Sequence, residues 1–166
     1  MTDKFSCTPV NLDWFEQAKY VFVAEEVIDA TPSQIFDCFE DAHAWTVWAG
    51  AITKVEWTAP KPFGVGTTRT VYMMGGLTGY ETFIAWERGK RMAFCFTDAS
   101  KPNVESFAED YLVEDLGNGQ CKVTWRMAMQ PKGLGAAFMP ATAFIMRIMV
   151  RRMFKQFTKL VEAEWT

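Results

Sequence analysis

The sequence predicts an α+β domain in which a curved antiparallel sheet wraps around one long C-terminal helix. Three observations lead there. A Val- and aromatic-rich run, Tyr20–Ile28, ends at the helix-start phrase Asp29-Ala30-Thr31-Pro32. Between residues 52 and 130 strand-like runs follow one another, cut by Gly, Pro and Asn turns. After Pro140 the chain carries neither Gly nor Pro and reads as helix to Trp165.

Residues 1–18 read as an N-terminal extension whose Trp14 and Phe15 pack on the body, leaving residues 19–166 as a single domain. Thr31 is placed to cap a helix, Pro32 suits its first turn, and Gln34 stands at the capping-box spacing. That short helix carries Ile35, Phe36 and Phe39, and a second short helix follows through Trp45 and Trp48. Strands are predicted over Ile52–Thr58, Gly66–Met74, Thr78–Glu87, Arg91–Thr97, Val104–Leu116 and Gln120–Gln130, with turns at Gly75-Gly76, Gly89 and Gly117-Asn118-Gly119. The last strand alternates cleanly, with Cys121, Val123, Trp125, Met127 and Met129 on one face. Pro131, Gly133 and Gly135 make a hinge, and Pro140 must open or kink the final helix, because proline inside a helix removes a hydrogen bond.

Composition narrows the function. Of 166 residues, 49% are apolar, including 14 Phe, 7 Trp and 10 Met, which excludes disorder and exceeds what a minimal core needs. Either the core is heavily aromatic, or some of these side chains line a cavity. A single histidine rules out a multi-histidine metal site, and neither a metal nor a cofactor is expected. The net charge of −3 gives no overall basic field for nucleic acid. Cys7, Cys38, Cys95 and Cys121 are far apart without a CxxC pair, so neither a zinc site nor a disulfide scaffold is indicated. Met1-Thr2-Asp3-Lys4-Phe5 lacks the pattern of a signal peptide, and the expectation is a soluble, cytoplasmic protein without stable membrane insertion.

His43 is the one side chain that titrates near neutrality unaided, and it suits either an acid/base or anchoring role, or a surface position beside Asp41. Glu109 shares its predicted face with Phe107, Tyr111 and Val113, and Glu81 shares its own with Phe83 and Ala85. If those faces are concave, two carboxylates enter an apolar space, where burial raises a carboxyl pKa toward neutrality. Arg69 or Tyr72 on the neighbouring strand would partner them; a one-residue slip in register would turn them all outward. On the helix, Phe138, Thr142, Ile145, Met149, Met153 and Phe157 fall near one stripe. The same helix is apolar nearly all round from Ala141 to Val150 apart from Arg147. Its outer face should therefore be covered by the N-terminal extension or a second subunit, or else touch a membrane. The cluster Arg147, Arg151, Arg152, Lys155 and Lys159 has helical spacing and reads as a solvated face.

Five phrases in order carry a resemblance. They are Val27–Phe36, Trp45-Thr46-Val47-Trp48-Ala49, Phe63–Arg69, Tyr80–Phe94 and Lys122-Val123-Thr124-Trp125 ahead of the long helix. The chain resembles the START/Bet v 1-like superfamily, and within it the polyketide cyclase/dehydrase and lipid-transport (SRPBCC) proteins. The resemblance implies a helix-grip fold, with a seven-stranded antiparallel sheet closing over the C-terminal helix, two short helices after the first strand, and an elongated apolar cavity. It also implies a hydrophobic small-molecule ligand such as a lipid or polyketide. Three readings follow. The first is a carrier or sensor whose wall is Trp48, Tyr72, Phe83, Tyr111, Trp125, Met127, Ile145 and Met149. The second is a cyclase, aromatase or dehydratase using Glu81, Glu109 or His43. The third is a partner-binding module, or a homodimer, built on the C-terminal helix.

Overall fold

The computed structural model describes residues 3–166, so the first two residues of the N-terminal extension lie outside the described residues. After a short strand β1 (Phe5–Ser6) and a single helical turn α1 (Trp14–Gln17) come β2 (Tyr20–Ile28), α2 (Pro32–Glu40) and α3 (Ala42–Trp48). Strands β3 (Ile52–Trp57), β4 (Thr68–Met73), β5 (Thr78–Glu87), β6 (Arg91–Ala99), β7 (Val104–Gly117) and β8 (Gln120–Pro131) precede α4 (Gly133–Glu164).

The sheet runs β2-β8-β7-β6-β5-β4-β3, antiparallel throughout, and curls around α4 as a helix-grip. Hairpins in series give this order directly. β2 closes the far edge by pairing with β8, with Ala24 opposite Trp125. The β4–β5 connection turns at Gly75 and Gly76, whose φ values of 75° and 74° suit glycine. Two register shifts in the β5–β6 pair, between Tyr80 and Glu81 and between Phe83 and Ala85, bend the sheet there. The second also moves the apolar face: Trp86, and not Ala85 as the alternation suggests, rejoins the core beyond Phe83.

The concave core joins Phe22, Val123, Trp125, Tyr111, Met92, Phe94 and Phe83 from the sheet to Val150, Phe154 and Phe157 of α4. Phe39, Trp45 and Trp48 of the two short helices close one end, with the Phe39 and Phe157 rings stacked at 5.3 Å. The capping box of α2 is formed, Gln34 N–H donating to the Thr31 hydroxyl and Thr31 N–H to the Gln34 side chain at 2.7 Å.

Two expectations need correction. Gly133 and Gly135 are not a hinge but the first turn of α4, which therefore does not open at Pro140 but runs through it, giving a length of about 48 Å at 1.5 Å per residue. Pro140 is exposed, so the backbone carbonyl it leaves unpaired stays within reach of solvent. The N-terminal extension does not cover α4. It lies on the opposite, convex side of the sheet, where Phe15 packs on Cys95, Ala108 and Ala128. Residues 5–8 fill the gap where β6 and β7 part: Cys7 N–H donates to Thr97 O at 2.9 Å and Thr8 N–H to Glu105 O at 2.7 Å. An ion cluster fastens this layer. Buried Asp110 accepts from Arg91 at 2.9 Å and from Arg126 at 2.6 Å, and Arg126 also reaches Glu16 of α1 at 2.6 Å.

Candidate functional site

Between the concave sheet and the first half of α4 lies a cavity of about 370 Å³. The aromatic cluster under α2 and α3 fills the other half of the grip, so this space is bounded by Trp45, Trp48 and Trp125 at its closed end. Phe94, Phe96 and Phe107 of β6 and β7 form its floor, and Met139, Met146, Met149 and Met153 of α4 its roof. Methionine is flexible and polarizable, which lets such a roof adjust to different apolar shapes. Ala51, Asn103 and Met149 are both lining and exposed, and they mark where it opens.

The charged groups in this wall come from β4, β5 and β7, with β6 between the last two. Arg69 of β4 stands opposite Glu81 of β5, Glu81 stands opposite Phe96 of β6, and Phe94 stands opposite Glu109 of β7. One register therefore brings one cation and two carboxylates onto the concave face. Arg69 is 1% exposed and its Nε is bonded to Glu81. Its guanidinium carbon lies 4.1 Å from the Trp45 ring centre, 4.5 Å from that of Phe94 and 5.2 Å from that of Phe83, so aromatic faces take the place of water around the charge. Its two terminal nitrogens are buried without hydrogen-bond partners among the described residues, as is the indole N–H of Trp48. The indole N–H of Trp125 is likewise buried without a hydrogen-bond partner among the described residues.

Glu109 accepts a 2.6 Å hydrogen bond from the Tyr111 hydroxyl. Burial pushes its pKa up to about 7; the charge of Glu81 adds to the shift, while Tyr111 and the charge of Arg69 oppose it. Burial also pushes Glu81 upward against the pull of Arg69. The site therefore sets the bonded Arg69–Glu81 pair beside a carboxyl whose pKa lies near neutrality. Such a wall can hold an apolar body, present N–H donors to an oxygen acceptor, and pass a proton at Glu109.

The anticipated residues separate into groups. Glu81, Glu109, Trp48, Trp125, Met127 and Met149 line the cavity. Phe83 and Tyr111 are wholly buried in the core around it and do not line it. Tyr72 points the other way, its hydroxyl donating to Glu56 at 2.7 Å, because Arg69, Val71 and Met73 take the concave side of β4. Ile145 is 55% exposed on the outside of α4. A helix apolar nearly all round does not reveal which face is gripped. His43 is exposed on α3, its backbone held by Asp41 at 2.8 Å, and lies outside the cavity, because α3 turns Ala44, Trp45 and Trp48 inward. Trp45, Phe94 and Phe96 were not anticipated, although carrying the alternation from Glu81 and Glu109 across β6 leads to both phenylalanines. All four cysteines are buried free thiols.

A curled antiparallel sheet gripping a C-terminal helix around a mostly apolar cavity with a few buried polar groups defines a helix-grip fold. The chain belongs to the polyketide cyclase/dehydrase and lipid transport family, whose model matches residues 20–163. Uncharacterized proteins of Mycobacterium tuberculosis and Mycobacterium bovis are 39% identical to it over 161 residues, covering 97% of this chain and 96% of theirs. Among solved structures, a hypothetical protein from Helicobacter pylori superposes with a TM-score of 0.71 at 12% identity, covering 97% of this chain and 99% of that one. A Thermus thermophilus protein gives 0.70 at 16% identity, covering 88% and 99%. A START superfamily protein from Mycobacterium smegmatis gives 0.66 at 9% identity, covering 88% and 97%. At these identities the likeness is one of fold.

Proposed function

We propose that this protein binds a hydrophobic small molecule in the cavity under α4, as a carrier or sensor, with an oxygen of the ligand held by Arg69. The observation that carries this reading is the pair of buried, unpartnered guanidinium nitrogens of a residue that lines a mostly apolar cavity. A buried donor left unpaired costs about 1–3 kcal/mol, and a ligand carbonyl recovers that on binding. A neutral carbonyl suits the site better than a carboxylate, because Glu81 already balances the charge of Arg69. Membership of a family described by polyketide cyclisation and lipid transport supports an apolar, oxygen-bearing ligand. Titration calorimetry with 2-acetonaphthone and its hydrocarbon isostere 2-isopropylnaphthalene tests it. The ketone is expected to bind about tenfold more tightly, and equal affinity would remove the role given to Arg69.

A second reading rests on Glu109. A carboxyl near pKa 7, beside donors that polarise a carbonyl, suits proton transfer in a cyclisation or dehydration. Glu109 in its ionised form would take a proton from carbon next to the ligand carbonyl, and in its acid form return one to a departing hydroxyl. Incubation with a linear poly-β-keto ester, in which aldol closure of one ketone by the carbon beside another makes the hydroxyl that then leaves as water, followed by mass spectrometry for that loss, separates this reading from simple binding. Conversion abolished by Glu109→Gln with ketone binding retained supports catalysis, and an unchanged ester argues for a carrier.

A further inference from the structure

The first half of α4 carries a surface that the domain itself leaves uncovered. At 100° per residue, Leu134, Phe138, Ile145, Ile148 and Met149 share one side of the helix. They are exposed by 78%, 64%, 55%, 37% and 44%, and Phe144, further round, by 68%. Most exposed apolar residues on a soluble domain are scattered, whereas a contiguous row along four turns marks a contact surface. The second half of the helix grips the sheet through Val150, Phe154 and Phe157. On its outward side the apolar row gives way to Arg152, Lys155 and Lys159, flanked by Arg147 and Arg151.

These five cations form no salt bridge among the described residues, and none of the chain's 20 Asp/Glu lies between residues 133 and 161. A row of apolar side chains ending in unneutralised cations is complementary to an anionic lipid surface, where the former enter the acyl boundary and the latter meet phosphates. The cavity opens at the same place. Met149 belongs both to the cavity roof and to the exposed row, and Met139 and Gly135 line the cavity from the same turns. A second copy seated on this row would cover that opening, whereas a bilayer would face it with apolar chains.

We infer that the outer face of α4 from Leu134 to Lys159 docks the protein peripherally on anionic phospholipid bilayers, with the cavity mouth against the membrane. The route from bilayer to cavity rests on the ligand-binding reading; the docking itself does not. It is tested with the full chain and vesicles of phosphatidylcholine alone or mixed with phosphatidylglycerol, by co-sedimentation at low and high salt. Binding is expected on the mixed vesicles, at least about tenfold weaker on phosphatidylcholine and weakened by salt. The double variant Phe144→Ser/Ile145→Ser and the triple variant Arg151→Gln/Arg152→Gln/Lys155→Gln should each lower it about tenfold. All these side chains are exposed, so the thermal melts and the naphthalene-ketone affinity should stay as in the parent chain. No binding to the mixed vesicles, or binding indifferent to both variants, overturns the inference. So does a dimer by light scattering that only the serine variant dissociates. In each case ketone binding still reports separately on the cavity.

Discussion

Arg69, which lines the cavity, meets Glu81 through its Nε alone, across the β4–β5 pair, and both terminal nitrogens of its guanidinium are buried without a partner among the described residues. The ion pair satisfies the charge of the arginine without using up its donors. On the proposed binding reading, the remaining donors are those a ligand oxygen would meet.

Removing one member of this pair should be far more damaging than removing both. Arg69→Met leaves Glu81 buried without its partner, and a loss of about 3–5 kcal/mol is expected. Arg69→Met/Glu81→Gln leaves no charge and should recover part of it. Urea denaturation of the two variants decides this, and a double variant less stable than the single one would contradict the pairing. In calorimetry the double variant should lose the preference for ketone over hydrocarbon.

Glu109 should make stability fall as pH rises. Its folded pKa of about 7 lies above the ordinary carboxylate value, so between roughly pH 4 and 7 the native state holds more protons than the unfolded chain. Its contribution is complete below the unfolded pKa and is lost as pH passes through the folded one. Glu109→Gln still accepts from Tyr111 and should be more stable than the parent by about 3 kcal/mol above pH 7. That advantage should fade toward pH 4, and denaturation midpoints across this range provide the check.

Much of this architecture was legible in the residues. Thr31, Pro32 and Gln34 announced α2, and the alternation at Val123, Trp125 and Met127 announced a concave strand. Glu81 and Glu109 were found by alternation too, because no register shift separates Glu81 from Phe83, or Glu109 from Phe107, Tyr111 and Val113. Ala85 failed for that reason, since a bulge after Phe83 is written in pairing and not in one strand's pattern. Tyr72 failed because β4 carries Arg69, a charge, on its buried face; burial of a cation depends on Glu81 from another strand. Ile145 failed because Ala141–Val150 is apolar on every side, leaving no polar face to orient it.

The convex ion cluster should hold the N-terminal layer. Asp110→Ala leaves Arg91 and Arg126 without their buried partner and should cost about 3 kcal/mol. Hydrogen exchange at Trp14–Gln17 should then quicken more than exchange in α4. Equal effects in both places would mean that the extension is not held by this cluster.

Gly79 marks where the sheet has no room to spare. A Cβ there would stand 2.4 Å from the tip of the Phe96 ring, which lines the cavity floor. Gly79→Ala should destabilise by about 1–3 kcal/mol through overpacking, measurable as a lowered Tm. Displacement of Phe96 should also weaken binding of the naphthalene ketone.

The most direct test of the central claim is native mass spectrometry of the purified full chain, with extraction and identification of any bound molecule. The expected result is a fraction of protein carrying one apolar molecule with a carbonyl or similar oxygen, displaced by 2-acetonaphthone and absent from Arg69→Met/Glu81→Gln. A protein that carries nothing and takes up neither naphthalene probe would contradict the claim that this cavity is a binding site.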